Sequence, residues 1–150
     1  MPAQSSAMRS GRVSSHPDSS RSISSRARAR AGIDPALADW LASRPLRCAL
    51  TIGGKTLLLV HSTPWEPRGA YVYPHSPLLD QFADAGADFV LYGHTHHQLA
   101  RRVGGVLVIN PGSAGDARDP GNGRQLSCAV LDTASEEVSI IDFPDPRRDA

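Results

Sequence analysis

The stretch "DFVLYGHTHHQLARRVGGVLVINPGS", Asp88 to Ser113, decides the architecture. It opens on a short apolar, β-favouring run, Phe89 to Tyr92, and Gly93 then lets the backbone turn sharply. Three of the chain's six histidines, His94, His96 and His97, follow within four positions. Next comes a hairpin pattern, "QLARRV" and "VLVINP" joined by Gly104-Gly105. A buried strand that empties into a polar, glycine-bearing loop is where ligands bind in layered α/β proteins.

Working outward, the same grammar recurs. Upstream, "LRCALTI", Gly53-Gly54 and "KTLLLVHS" read as a second hairpin. Leu57 to Val60 is apolar on both alternations, so this strand is expected to be buried on both faces, and it delivers His61. Between the hairpins, "SPLLDQFADAGA" reads as a short amphipathic helix with Gly86 near its C-terminal end. Further upstream, "DPALADWLASRP" predicts a helix with Asp34 as N-cap, Pro35 in the first turn, and Leu37, Trp40 and Leu41 on one face. Downstream, "RQLSCAVLD" and "EVSIIDF" complete a strand-rich α/β pattern.

The domain plan follows from composition. Residues 1–30 carry six arginines against the single acid Asp18, many serines and few large apolar residues. Such a segment cannot bury enough surface to offset its ordering entropy, so it is expected to be a disordered leader. An organellar transit peptide shares that composition but would show an amphipathic face. Residues 31–143 are expected to form the folded domain and 144–150 a tail. The rest of the chain holds ten basic and fourteen acidic side chains, which offers no general basic surface for nucleic acid. No apolar run is long enough to span a membrane. Cys48 and Cys128 lie in apolar segments without metal or redox spacing, and no secretory signal precedes them. They are expected to be buried, unpaired thiols in a reducing, cytoplasmic setting.

Two apolar strands therefore end in histidine, His61 on one and His94 and His96 on the other, and a third ends in Asn110, Pro111, Gly112 and Ser113. Neutral imidazole is the commonest nitrogen ligand for divalent zinc, manganese, iron or nickel, so His61, His94 and His96 are candidate metal donors. His97 begins the next strand and is expected to face solvent. His75 and His16 have no supporting context.

These segments resemble the calcineurin-like metallophosphoesterases, in particular their small bacterial and archaeal phosphodiesterase branch. The resemblance lies in "LLLVHSTPWEPRGAYVYP", in "ADFVLYGHTHHQLARRVGGVLVINPGSAGDARD" and in the closing "CAVLD" strand, and covers roughly Ile33 to Asp142. It implies a four-layer αββα sandwich with a dinuclear metal site at the sheet edge. His61 and His94 would hold one ion, His96 the other, and Asn110, Gly112 and Ser113 would line the pocket. It also implies a metal-dependent phosphoesterase, diester or monoester, in which the metals hold the phosphoryl oxygens during in-line attack.

The family's first-half motifs, Asp-x-His, Gly-Asp with its bridging aspartate, and Gly-Asn-His, do not precede His61. The chain therefore reads as the C-terminal half of the domain, with Ser62 where this branch carries glycine. Two divalent ions 3.5–4 Å apart repel by roughly 17–19 kcal/mol at an effective dielectric of about 20. Three neutral imidazoles offset none of that, so at most one ion is expected here. Asp88 starts the strand that His94 follows, roughly 17 Å away along the rise, while Asp116 and Asp119 lie at the correct edge. Whether the chain acts as an enzyme by itself stays open. Two alternatives stand beside the phosphoesterase: a non-catalytic metal-binding or interaction scaffold on the same fold, and a mononuclear zinc hydrolase with three histidine ligands. The expected partners are a phosphate ester and either a separate N-terminal half or a second copy of the chain.

Overall fold

A computed structural model describes residues 33–147. The 1–30 leader lies outside the described residues, as do the last three residues of the tail. The chain divides into two compact units, one ending at Arg44 and one beginning at Pro45.

In the first unit, helix α1 spans Pro35–Ala42. Asp34 caps it as its sequence predicts, its carboxylate accepting from the Ala36 amide at 2.7 Å. The Arg44 guanidinium lies over the Trp40 ring, 4.6 Å from its centroid.

The second unit is built on two sheets. Strands β1 (Arg47–Ile52), β2 (Lys55–Val60), β3 (Phe89–Leu91), β4 (Gln98–Val103) and β5 (Val106–Pro111) form a mixed sheet in the order β1-β2-β3-β5-β4. β1–β2 and β4–β5 are the two predicted hairpins. Gly53 and Gly54 both have positive φ, the conformation of a type I′ turn, which matches the twist of the strands it joins. β3 pairs in parallel with β2 on one side and β5 on the other, so the strands that end in His61, the histidine loop and Asn110 point the same way. Strands β6 (Leu126–Leu131) and β7 (Val138–Phe143) form the second, antiparallel sheet.

Alternation decides the layers. Leu58, Val60, Val90, Val106 and Val108 face one side of the mixed sheet, against Val72, Leu79 and Phe82 from the covering segment. Leu57, Phe89, Leu107 and Ile109 face the other side, against Ala129, Leu131 and Val138 of the second sheet. The central strands are thus buried on both faces, as their unbroken apolar runs predict. The covering helix departs from expectation in type. Pro77–Asp84 is a 3-10 helix, capped by Ser76, that buries only Leu79 and Phe82. With two anchors on eight residues, the segment follows the sheet surface in the tighter helix.

The outer face of the small sheet has no covering layer among the described residues. Val130 and Ile141 are about half exposed there. Cys128, paired in register with Ile141, is exposed rather than buried, and Cys48 on edge strand β1 is half-buried; both are free thiols. The expected burial of the cysteines fails because Cys128 alternates onto the uncovered face with Val130, and Cys48 lies on the strand at the edge of the mixed sheet.

Candidate metal centre

The parallel register of β2, β3 and β5 brings three loops to one edge. His61 follows β2 directly, and its Nε2 faces the Nδ1 of His94 at 2.9 Å. The two rings meet edge to face with centroids 4.8 Å apart. His94 Nε2 is buried and has no hydrogen-bond partner among the described residues. Burial, aided by the neighbouring His61 and His96, holds the His94 imidazole below its ordinary value. The ring is therefore neutral at pH 7, the protonation state that binds metal.

His94 and His96 both adopt positive φ, 67° and 59°. That left-handed backbone is uncommon outside glycine and persists where surrounding structure over-determines it. The determinant here is Asn110, which is fully buried. Its Nδ2 donates to the Gly93 carbonyl at 3.0 Å and to Thr95 Oγ1 at 3.1 Å, while its Oδ1 accepts from the Gly112 amide at 3.0 Å. Asn110 thus ties the histidine loop to its own loop. Gly112, at φ 82°, passes so close to Ser127 that a Cβ would lie 2.1 Å from Ser127 Oγ. Ser113 Oγ accepts from the Asp116 amide at 2.9 Å and shapes the turn that follows.

His96 is turned toward that turn. Its Nδ1 lies 2.9 Å from the Asp116 carbonyl oxygen and 3.5 Å from the Asp116 carboxylate. Arg118 hydrogen-bonds the same carboxylate and holds it below its usual range. Asp119 is occupied by the Gln98 amide at 2.8 Å, and Asp88, at the far end of β3, accepts from the Thr56 amide at 2.7 Å. The structure therefore pairs His61 with His94, sets His96 apart on Asp116, and forms no cluster of three or more His, Cys, Asp or Glu side chains suited to a metal among the described residues.

His97 does not simply face solvent. Its Nδ1 lies 2.8 Å from the Thr95 carbonyl oxygen and its ring meets Tyr73 edge to face. Ser62, where this branch carries glycine, is buried in its own loop. Its hydroxyl donates to the Ala70 carbonyl and its amide to Pro67, pinning the loop that leaves His61.

The family model of the calcineurin-like phosphoesterase superfamily domain matches residues 33–136. The chain belongs to this superfamily. Among solved structures, a metallophosphoesterase from Sphaerobacter thermophilus is similar at TM-score 0.64 and 19% identity, over 93% of this chain and 63% of that one. A hypothetical protein from Pyrococcus horikoshii is similar at TM-score 0.60 and 16% identity, over 73% of this chain and 45% of that one. A novel archaeal phosphodiesterase shares 27% identity at TM-score 0.46, over 65% and 51% of the two chains. This phosphoesterase-family chain thus spans about half to two-thirds of the length of these structures. No curated protein gave a match.

Within this phosphoesterase-family fold, two supporting residues escaped the sequence reading. Tyr92 donates its hydroxyl to the Val72 carbonyl at 3.1 Å, and burial pushes its phenol up to about 12. Tyr71 lays its ring on His94 with centroids 4.1 Å apart. Both lie in the segments quoted above, Tyr92 before Gly93 and Tyr71 in the loop after His61, but their contacts with Val72 and His94 join separate segments and are not legible in either one.

Proposed function

We propose that the chain carries the histidine side of a metal-dependent phosphoesterase centre. His61, His94 and His96 are its divalent-ion donors, and Asn110, Gly112 and Ser113 build the wall behind them. The observation that carries this reading is the 2.9 Å approach of His61 to a neutral His94 that keeps a buried nitrogen unpartnered. The all-imidazole donor set suits zinc, iron, nickel or manganese; without a bridging anion it is assigned one ion rather than two, and His96 must close on the His61–His94 pair to share it. A second ion needs a bridging carboxylate, and the Asp116 carboxylate is engaged by Arg118. When bound, the ion supplies Lewis-acid polarisation of a phosphoryl oxygen. The chain's residues do the rest: Asn110 fixes the histidine loop, Asp116 orients His96, and Tyr71 shields His94 from water.

The substrate in this reading is a phosphate ester. Two free cysteines agree with a cytoplasmic setting, and among the described residues no helix is long and apolar enough to cross a membrane. The test is hydrolysis of a chromogenic phosphodiester and a chromogenic phosphomonoester by the chain in manganese, zinc or nickel, alongside His94→Ala. Slow, metal-dependent turnover abolished in the variant is expected. Metal binding without turnover of either ester would favour the scaffold reading, which the dispersed placement of His96 also suits. Hydrolysis of a chromogenic carboxylate ester by a one-zinc form that turns over neither phosphate ester would favour the mononuclear zinc hydrolase.

A further inference from the structure

A cavity of about 340 Å³ is walled by Arg47, Pro64, Trp65, Gln81, Asp84 and Ala85, and no histidine lines it. That volume falls within the range of small-ligand pockets. Three elements build it. Pro64 and Trp65 form the tip of the turn that Thr63 closes on Glu66, its amide and hydroxyl donating to the Glu66 carbonyl at 3.3 and 2.9 Å. The Trp65 ring meets the fully buried Phe82 edge to face, with centroids 5.0 Å apart, yet Trp65 is 40% exposed. The indole is thus fixed by the core while it lines the cavity. Arg47, the first residue of β1, donates to the Pro64 carbonyl at 3.3 Å, which holds the guanidinium by one of its five N–H groups. Gln81 and Asp84 come from the 3-10 helix, in which residues three apart eclipse, so both stand on one face. Arg47 and Asp84 share the cavity wall without pairing with each other, and among the described residues neither has an ion-pair partner. Opposite charges held apart across a common cavity leave room for a ligand that carries both signs.

We propose that this cavity binds a free α-amino acid with an apolar side chain. Its carboxylate lies on the Arg47 guanidinium, whose planar fork suits that group. Its ammonium lies on the Asp84 carboxylate and the Gln81 amide oxygen. Its side chain packs on Trp65, beside Pro64 and Ala85. A simple cation would face Arg47 across the cavity and a simple anion would face Asp84, so the zwitterion is favoured over either. The site uses none of the histidine-centre residues and does not depend on the phosphoesterase reading.

The test is calorimetric titration of the full chain, without added metal, with L-phenylalanine, L-phenylalaninamide, N-acetyl-L-phenylalanine and glycine. Phenylalanine is expected to bind about 10-fold more tightly than the amide or the N-acetyl derivative, each of which lacks one charge-assisted hydrogen bond. Arg47→Gln should bring phenylalanine down to the affinity of its amide and leave the amide unchanged, which also shows that the variant is folded. Asp84→Asn should bring phenylalanine down to the affinity of the N-acetyl derivative and leave that derivative unchanged. Glycine, which offers nothing to Trp65, should bind more weakly than phenylalanine, and Trp65→Leu should narrow that gap. No binding of phenylalanine to the wild-type chain overturns the site. An amide or N-acetyl derivative that binds as tightly as the free amino acid, or a preference that survives both Arg47→Gln and Asp84→Asn, overturns the zwitterion assignment. Glycine binding as tightly as phenylalanine overturns the role of Trp65.

Discussion

Asn110 donates its side-chain amide to the carbonyl of Gly93, 17 residues earlier, at 3.0 Å. Through this bond and those to Thr95 and Gly112, one buried side chain holds the end of β5 against the histidine loop. Asn110→Ala leaves the buried Gly112 amide without its partner and takes one hydrogen bond each from the Gly93 carbonyl, which keeps the Thr95 amide, and from Thr95 Oγ1, which keeps the His97 amide. It is expected to lower stability by about 3 kcal/mol, since one unsatisfied group costs about 1–3 kcal/mol and the two lost hydrogen bonds add to that without strict additivity. Metal affinity should fall by about 10–100-fold, the usual effect of losing a residue that orients a ligand. Chemical denaturation and zinc titration of the same variant check both.

His61→Ala, His94→Ala and His96→Ala are each expected to weaken zinc binding by more than that supporting effect, and His97→Ala to leave it unchanged. Elemental analysis of the purified chain should find no more than one ion. Two tightly held ions would mean that Asp116 leaves Arg118 to bridge them. A His97→Ala loss equal to that of His94→Ala would show that the loop presents a different pair of rings.

Gly112→Ala forces a side chain onto a φ of 82° and into the Ser127 hydroxyl. A loss of about 2 kcal/mol is expected, within the 1–3 kcal/mol typical of a strained left-handed residue with a steric conflict. Ser127 also donates to the Pro111 carbonyl at 2.8 Å, so it cannot move aside without giving up that bond. Thermal unfolding of the variant measures the cost.

Glu136 accepts a hydrogen bond from Lys55 at 2.8 Å and another from Arg102, joining the turn between β6 and β7 to the mixed sheet. The Lys55 hydrogen bond first, and then the Arg102 one, holds its carboxyl below the ordinary range. A depressed native-state value stabilises the fold above the unfolded-state value, near 4.3, and the contribution is lost as pH falls through the native one. The melting temperature should therefore drop on acidification below about pH 4–5. Glu136→Gln should flatten that part of the profile, and a wild-type slope in the variant would assign the acid loss elsewhere.

The uncovered face of the small sheet, with Val130 and Ile141 about half exposed, is expected to recruit other protein surface. Sedimentation across a dilution series should show concentration-dependent association of the chain. Val130→Lys combined with Ile141→Lys should suppress it. A wild-type chain that sediments as a monomer throughout would show that the face is tolerated in water.

Much of this fold was legible because its strands advertise themselves. Both Gly-Gly hairpins and the two-faced burial of Leu57–Val60 follow from local pattern. The pairing of β3 between β2 and β5 does not, because nothing local in Phe89–Leu91 names its neighbours. The 3-10 winding of Pro77–Asp84 and the exposure of Cys128 are set by what each segment packs against, which composition does not encode. At the site, the histidines were visible as a motif. Their left-handed backbone, the Asn110 crosslink and the Tyr71 contact depend on residues 15 or more positions away and emerge only from register.

The three-residue strand β3 has a kinetic meaning. Each Gly-Gly hairpin closes on itself from neighbouring residues, so each can form early and independently. His61 ends one hairpin, and the histidine loop leads into the other. They meet only when Phe89–Leu91 slots in parallel between them, a non-local step that must meet its loop-closure entropy before any contact rewards it. The His61–His94 approach therefore requires that non-local pairing, and an ion captured there would stabilise the paired sheet rather than either hairpin alone.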